Sequence, residues 1–129
     1  MKKKILIVSA NYYKDITKGL VISAIKLIPK KNTVKIIEVP GTYEIPIVIS
    51  RNINKYDAFL ALGCVIKGET PHFDFISQAS INAIMDLSIK YKKPIGNGII
   101  TCLNMSQAKA RKTKGAEAAK AVISVLSLK

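Results

Sequence analysis

Apolar residues in this chain fall in short blocks separated by charged or turn-forming residues, and the blocks alternate between two kinds of pattern. Lys4 to Ala10 (KILIVSA) is a short apolar run, the form expected of a strand covered on both faces. Thr33 to Val39 (TVKIIEV), Ala58 to Val65 (AFLALGCV) and Ile95 to Cys102 (IGNGIITC) read as three further strands. The segments between them read as helices. Leu20, Ile22, Ala24, Ile25 and Ile28 predict the buried side of a first helix, with Asp15 as its cap and Pro29-Lys30-Lys31-Asn32 as its end. Pro40 to Pro46 is a loop and helix start. There Gly41 supplies backbone freedom, and Pro46 is tolerated only in a first turn. Ile47, Val48 and Ile53 continue that second helix. His72 to Lys92 is the third and longest, stopped by Pro94. Asn104 or Ser106 caps a short helix to about Arg111, Lys112-Thr113-Lys114-Gly115 breaks it, and Ala116 to Leu128 forms a last, Ala-rich helix.

Strand–helix repeated four times, with no linker and no internal repeat, predicts one parallel sheet with helices on both faces. The expected fold is a flavodoxin-like three-layer α/β/α sandwich with a four-stranded parallel sheet, residues 1–129 forming a single domain. The third strand carries no charge and is expected to be central. In such a sheet the loops after all four strands meet at the carboxyl edge, where ligands bind. That edge collects Tyr12, Tyr43, Glu44, Lys67, Thr70, His72 and Asn104.

Composition narrows the class. With 129 residues, 49% of them apolar, the chain is long enough for a real core. No run approaches the roughly 20 apolar residues of a membrane helix. The basic start Met1-Lys2-Lys3-Lys4 leads into a strand without a signal-cleavage pattern, so a cytoplasmic location is expected and no membrane partner. Cys64 and Cys102 fit buried strand positions and make no disulfide framework. The formal charge of +13 invites a nucleic-acid reading. Arginine, however, occurs only at 51 and 111, and the lysines are dispersed. Base recognition favours the planar arginine fork. Only Lys90-Tyr91-Lys92-Lys93 forms a cluster, at a helix C-terminus that welcomes cations. Solvated surface lysine is the simpler reading, and no nucleic-acid partner is expected.

Candidate chemistry concentrates in Gly63-Cys64-Val65-Ile66-Lys67-Gly68-Glu69-Thr70-Pro71-His72-Phe73-Asp74-Phe75, which leaves a strand and enters the longest helix. His72, the one histidine, can take and give a proton near neutrality; the alternative is an ordinary surface helix residue. Lys67 to Thr70 can cradle a phosphate through backbone N–H groups, a hydroxyl and a cation, although the order of a P-loop is absent. Tyr12 and Tyr43 open two loops on the same edge and suit a planar heteroaromatic ring, or are half-buried loop aromatics. Glu44 stands at a helix start that favours a carboxylate. Arg111 suits a bidentate phosphate contact, or is a solvent-exposed helix-end cation. One histidine and two scattered cysteines support no metal site.

Four segments resemble the lumazine synthase family. They are VPGTYEIP (39–46), LGCVIKGETPHFDF (62–75), GNGIITCLNMSQAKAR (96–111) and KGAEAA (114–119), with a weaker match at ANYYKDIT (10–17). The resemblance implies a transferase of riboflavin biosynthesis working without a cofactor. It condenses 5-amino-6-(D-ribitylamino)uracil with 3,4-dihydroxy-2-butanone 4-phosphate to give 6,7-dimethyl-8-ribityllumazine, phosphate and water. By position, it implies that Tyr12 stacks on the ring and that Thr42, Tyr43 and Glu44 hold the ribityl chain. Cys64, Val65 and Ile66 would line the pyrimidine side, and Glu69 and Thr70 would form the butanone-phosphate loop. Arg111 would bind phosphate, Lys114 would lie near the pyrimidine carbonyls, and His72 would be the catalytic histidine.

Three departures from the family pattern stand out. Tyr13 replaces the usual Asn, Asn97 stands where many members carry a Phe that reaches a neighbour's site, and the stretch from Arg111 to Lys114 is short. The family assembles as pentamers with sites between subunits. The short connection, and a chain that starts directly at its first strand, lead to the expectation of a simple homopentamer. In it Asn97, Arg111 and Lys114 would complete a neighbour's site, with riboflavin synthase as a candidate pathway partner. Two readings compete: a flavin- or nucleotide-binding module that kept the fold but not the reaction, and a basic nucleic-acid-binding protein.

Overall fold

The computed structural model describes residues 2–68 and 71–128. Four strands, β1 (Lys4–Ala10), β2 (Thr33–Val39), β3 (Ala58–Ile66) and β4 (Ile95–Cys102), pair in parallel in the order β2-β1-β3-β4. Five helices accompany them: α1 (Lys14–Leu27), α2 (Ile45–Arg51), α3 (His72–Tyr91), α4 (Met105–Ala110) and α5 (Gly115–Leu126). A 3-10 turn, Thr42–Glu44, runs directly into α2. The expected flavodoxin-like three-layer arrangement and parallel sheet are present.

Alternation along the inner strands builds two separate cores. Ile5 and Ile7 of β1, with Ala58, Leu60, Leu62 and Cys64 of β3, face α1, α4 and α5. Leu6 and Val8, with Phe59 and Ala61, face α2 and α3. Successive side chains of a strand point to opposite faces, so a strand buried on both sides must be apolar at every position. Ile5 through Val8 and Ala58 through Leu62 are all 0% exposed. Each such Ile, Leu or Phe contributes about 1.5–3 kcal/mol of transfer free energy. β3 is therefore inside the sheet, as its lack of charge foretold.

Missing side chains let α5 lie close to its neighbours. A Cβ added at Gly115 would sit 1.9 Å from the Leu20 carbonyl oxygen of α1, and one at Gly96 would lie 2.6 Å from the Ala118 carbonyl oxygen. Both crossings require glycine.

Local details depart from the sequence expectations. Tyr13, not Asp15, occupies the cap position of α1; its carbonyl accepts from the Thr17 N–H at 3.0 Å, and Asp15 sits in the first turn. The buried face of α1 is Ile16, Thr17, Leu20 and Ala24, while Ile22 and Ile25 are 47% and 42% exposed. In α2 the inward residues are Ile45 and Ile49, followed by Ile53, and Ile47 points outward. Pro46 falls in the first turn, where its missing N–H is harmless. Gly41 has extended dihedrals that any residue adopts (φ −143°, ψ 172°), so its expected backbone freedom is not used. Lys92 ends α3 in the left-handed conformation, φ 56°.

Candidate active site

Strand order reverses between β1 and β3. The chain leaves β1 toward β2 on one side and returns past β1 to β3 and β4 on the other. The loops after β1 and β3 therefore diverge and leave a crevice at the carboxyl edge, the switch point where open α/β sheets bind ligands. A cavity of about 630 Å³ lies there, within the range typical of small-molecule sites. Its wall is made by Tyr12 and Tyr13 after β1, Gly41 to Glu44 after β2, Cys64, Val65, Ile66 and Gly68 at the end of β3, and His72, Phe73 and Ile76 of α3.

Hydrogen bonds fix each of these segments. The Asn11 N–H donates to the Val39 carbonyl at 2.8 Å, and the Asn11 side-chain amide donates to Glu38. The buried Thr17 hydroxyl donates to the Ala10 carbonyl at 2.6 Å, pinning the start of α1 to the end of β1. In the 3-10 turn, the Glu44 N–H donates to the Gly41 carbonyl at 3.1 Å. Thr42 is buried beside Gly63, where an added Cβ would come within 2.9 Å of the Thr42 hydroxyl. The glycine in β3 thus lets the turn seat directly on the strand. Beyond β3, the Lys67 N–H donates to the Cys102 carbonyl at 2.8 Å, extending the ladder to β4.

The cavity has an apolar floor and a more polar rim. Cys64 is buried, and burial first, then the neighbouring Cys102 thiol, pushes its thiol up to about 12. It is a neutral wall residue, not a nucleophile. Tyr13 is partly buried, and its phenol is pushed above the usual range by burial, then by Tyr12 and Cys64. At the mouth, Tyr12 and Tyr43 are 75% and 63% exposed. His72 opens α3 at the exposed rim. The arrangement suits a planar, partly polar molecule between aromatic faces with a proton carrier at its edge. Among the described residues, no three His, Cys, Asp or Glu side chains group as metal ligands would.

The chain brings Tyr12, Thr42, Tyr43, Glu44, Cys64, Val65, Ile66 and His72 around this one cavity. Three other residues expected at a site lie elsewhere on the same chain. Asn97 is exposed on the edge strand β4, its side-chain oxygen accepting from the Ile99 N–H at 3.1 Å. Arg111 caps α4 and donates to the Thr101 carbonyl at 3.3 Å. Lys114 pairs with Glu117 at 3.3 Å on an exposed face. Glu69 and Thr70 fall outside the described residues. Sequence reading did not single out Phe73 and Ile76, although His72 and Ile76 stand one helical turn apart and so share a face. Tyr13 was noted only for its identity; its place in the wall depends on the sharp exit from β1.

The switch-point cavity, the doubly covered parallel sheet and the rim histidine define an α/β protein with a small-molecule site of enzymatic type. A family model described as 6,7-dimethyl-8-ribityllumazine synthase matches residues 2–129, and the chain belongs to that family. It is 41% identical to a 6,7-dimethyl-8-ribityllumazine synthase of Agrobacterium fabrum over 99% of this chain and 95% of that one. It is also 41% identical to the protein of that name from Bartonella tribocorum, over 100% of this chain and 93% of the relative. A third, 6,7-dimethyl-8-ribityllumazine synthase 1 of Rhodopseudomonas palustris, is 41% identical over 98% of this chain and 85% of its own length. No helix of the described residues is long and apolar enough to cross a membrane.

Proposed function

We propose that this chain condenses 5-amino-6-(D-ribitylamino)uracil with 3,4-dihydroxy-2-butanone 4-phosphate, forming 6,7-dimethyl-8-ribityllumazine, inorganic phosphate and water. Family membership over residues 2–129 carries the reaction. The observation that supports its placement is the single switch-point cavity shared by Tyr12, Thr42, Tyr43, Glu44, Cys64, Val65, Ile66 and His72. The pyrimidine ring stacks on Tyr12 over the apolar floor of Cys64, Val65 and Ile66. Thr42, Tyr43 and Glu44 face the ribityl chain. Glu69 and Thr70 serve the butanone phosphate.

The chemistry needs little beyond proximity and proton transfer. The 5-amino nitrogen attacks the ketone carbon, and loss of water gives an imine. A proton leaves carbon, the C–O bond to phosphate breaks, and the enol so formed tautomerises to a carbonyl. The ribitylamino nitrogen then closes the ring on that carbonyl with loss of a second water. Each step moves a proton, and His72 relays them. Holding two substrates together supplies much of the remaining acceleration, and fixed donors stabilise the departing phosphate. No cofactor takes part.

The same reading assigns the chain to a cytoplasmic homopentamer in which Asn97, Arg111 and Lys114 complete the site of the next subunit. Their absence from the wall of their own chain's cavity supports this, as do exposed apolar residues on α2 and α3 (Ile47, Phe75, Met85 and Ile89). Light scattering should give roughly 70 kDa, five chains of 14.1 kDa; a monomer or a megadalton shell contradicts the assembly. Riboflavin synthase, which consumes the product, is the pathway partner. The function itself is tested by mixing both substrates with the protein: lumazine absorbance and fluorescence should grow, and a flat trace removes the assignment.

A further inference from the structure

Tyr12 bears the proposed stacking role yet is 75% exposed, so the core does little to hold its ring. An exposed aromatic samples several rotamers, and freezing one on binding weakens affinity. The adjacent residue addresses this. Tyr13 packs against the core cluster on the α1 side of the sheet, and its backbone is held as the cap of α1. Its ring meets that of Tyr12 edge to face, with centroids 4.9 Å apart and planes at 80°. This is the geometry the aromatic quadrupole favours. Both rings line the same cavity.

We propose that Tyr13 is a positioning residue for the pyrimidine substrate: anchored in the core, it holds the Tyr12 ring in the orientation that presents its face to the heterocycle. The inference rests on the functional reading above and deepens it. It gives a task to a tyrosine that the resemblance marks only as a departure. Packing alone would need an apolar ring or branched chain at 13; the aromatic edge is what Tyr12 requires.

The test is steady-state kinetics of lumazine formation by Tyr13→Asn, Tyr13→Leu and Tyr13→Phe, alone and combined with Tyr12→Ala. Asn and Leu should raise KM for the ribitylaminouracil about 3- to 10-fold, the scale of one edge-to-face pair. The KM for the butanone phosphate and kcat should stay within about twofold. Phe keeps the aromatic edge and should behave as wild type. In the Tyr12→Ala background the same Tyr13 changes should have no further effect, because the ring they position is gone. Tyr13→Leu retains apolar packing and carries the test if Tyr13→Asn fails to fold. Unchanged KM values, equal rises for both substrates, or a full Tyr13 effect without Tyr12 would each overturn the proposal while leaving the function intact. Wild-type protein that makes no lumazine overturns both.

Discussion

Replacing Gly115 by Ala adds one methyl group where α5 begins against α1. The new Cβ would stand 1.9 Å from the Leu20 carbonyl oxygen, 2.7 Å from its carbon and 2.8 Å from the Ser23 hydroxyl. A carbon–oxygen contact settles at about 3.3 Å or more, so one helix must retreat by more than 1 Å. Two of the obstructing atoms are backbone, which no rotamer change can move aside. Overpacking of this kind costs about 1–3 kcal/mol. Ala regains up to about 1 kcal/mol of helix propensity over Gly, less at a helix start. The net loss should be roughly 1–2 kcal/mol, or some 0.5–1 M in the urea midpoint for a chain of this size. Urea unfolding followed by far-UV circular dichroism at fixed protein concentration measures it. Gly68→Ala is the control for space, since none of the described residues outside its chain neighbours lies within 4 Å of its added Cβ. A Gly115→Ala midpoint equal to wild type would refute the close-crossing account of α1 and α5.

Three further outcomes follow from the site. His72→Ala should lower kcat by about 10²- to 10⁴-fold, the range for a general acid–base group, with little change in melting temperature because His72 is exposed; wild-type turnover would remove its role. Arg111→Ala should raise KM for the butanone phosphate more than for the pyrimidine, and equal effects would count against a phosphate contact. The Cys64 thiol, pushed up from 9.0 to about 12 in the folded protein, binds its proton more tightly folded than unfolded. Its stabilising contribution is therefore complete below about pH 9 and is lost as pH rises toward 12. Cys64→Ser should flatten the alkaline fall of the urea midpoint across that window, and an unchanged slope would show that Cys64 does not contribute to it.

Much of the fold was legible because buried parallel strands leave a plain trace. Ile5 to Val8 within KILIVSA and Ala58 to Leu62 within AFLALGCV are apolar at every position, as a strand covered on both faces requires. Pro46 and Pro94 marked boundaries through φ and the missing N–H. Asn104 was named as one of two candidate caps, and its side chain accepts from the Gln107 N–H at 2.9 Å. What misled was the facing of helices. Ile22 and Ile25 are as hydrophobic as Ile16, and hydropathy alone cannot say that α5 lies against the Leu20 side of α1.

The candidate site was legible to the extent that topology sends β-strand loops to one edge, which gathered Tyr12, Tyr43, Glu44 and His72 from three separate segments. Tyr13 escaped because its contribution comes from a ring–ring contact and the anchoring of the loop after β1, neither of which periodicity encodes. Asn97, Arg111 and Lys114 were assigned to a site through resemblance, and none of them stands in the wall of their own chain's cavity.

The most direct test is to measure lumazine and inorganic phosphate in the same reaction, with both substrates present and wild-type protein set beside His72→Ala. The two products should appear together, one phosphate for each lumazine, and both should slow in the variant. Phosphate release without lumazine, or neither product with well-folded wild-type protein, would contradict a condensation carried out at this cavity.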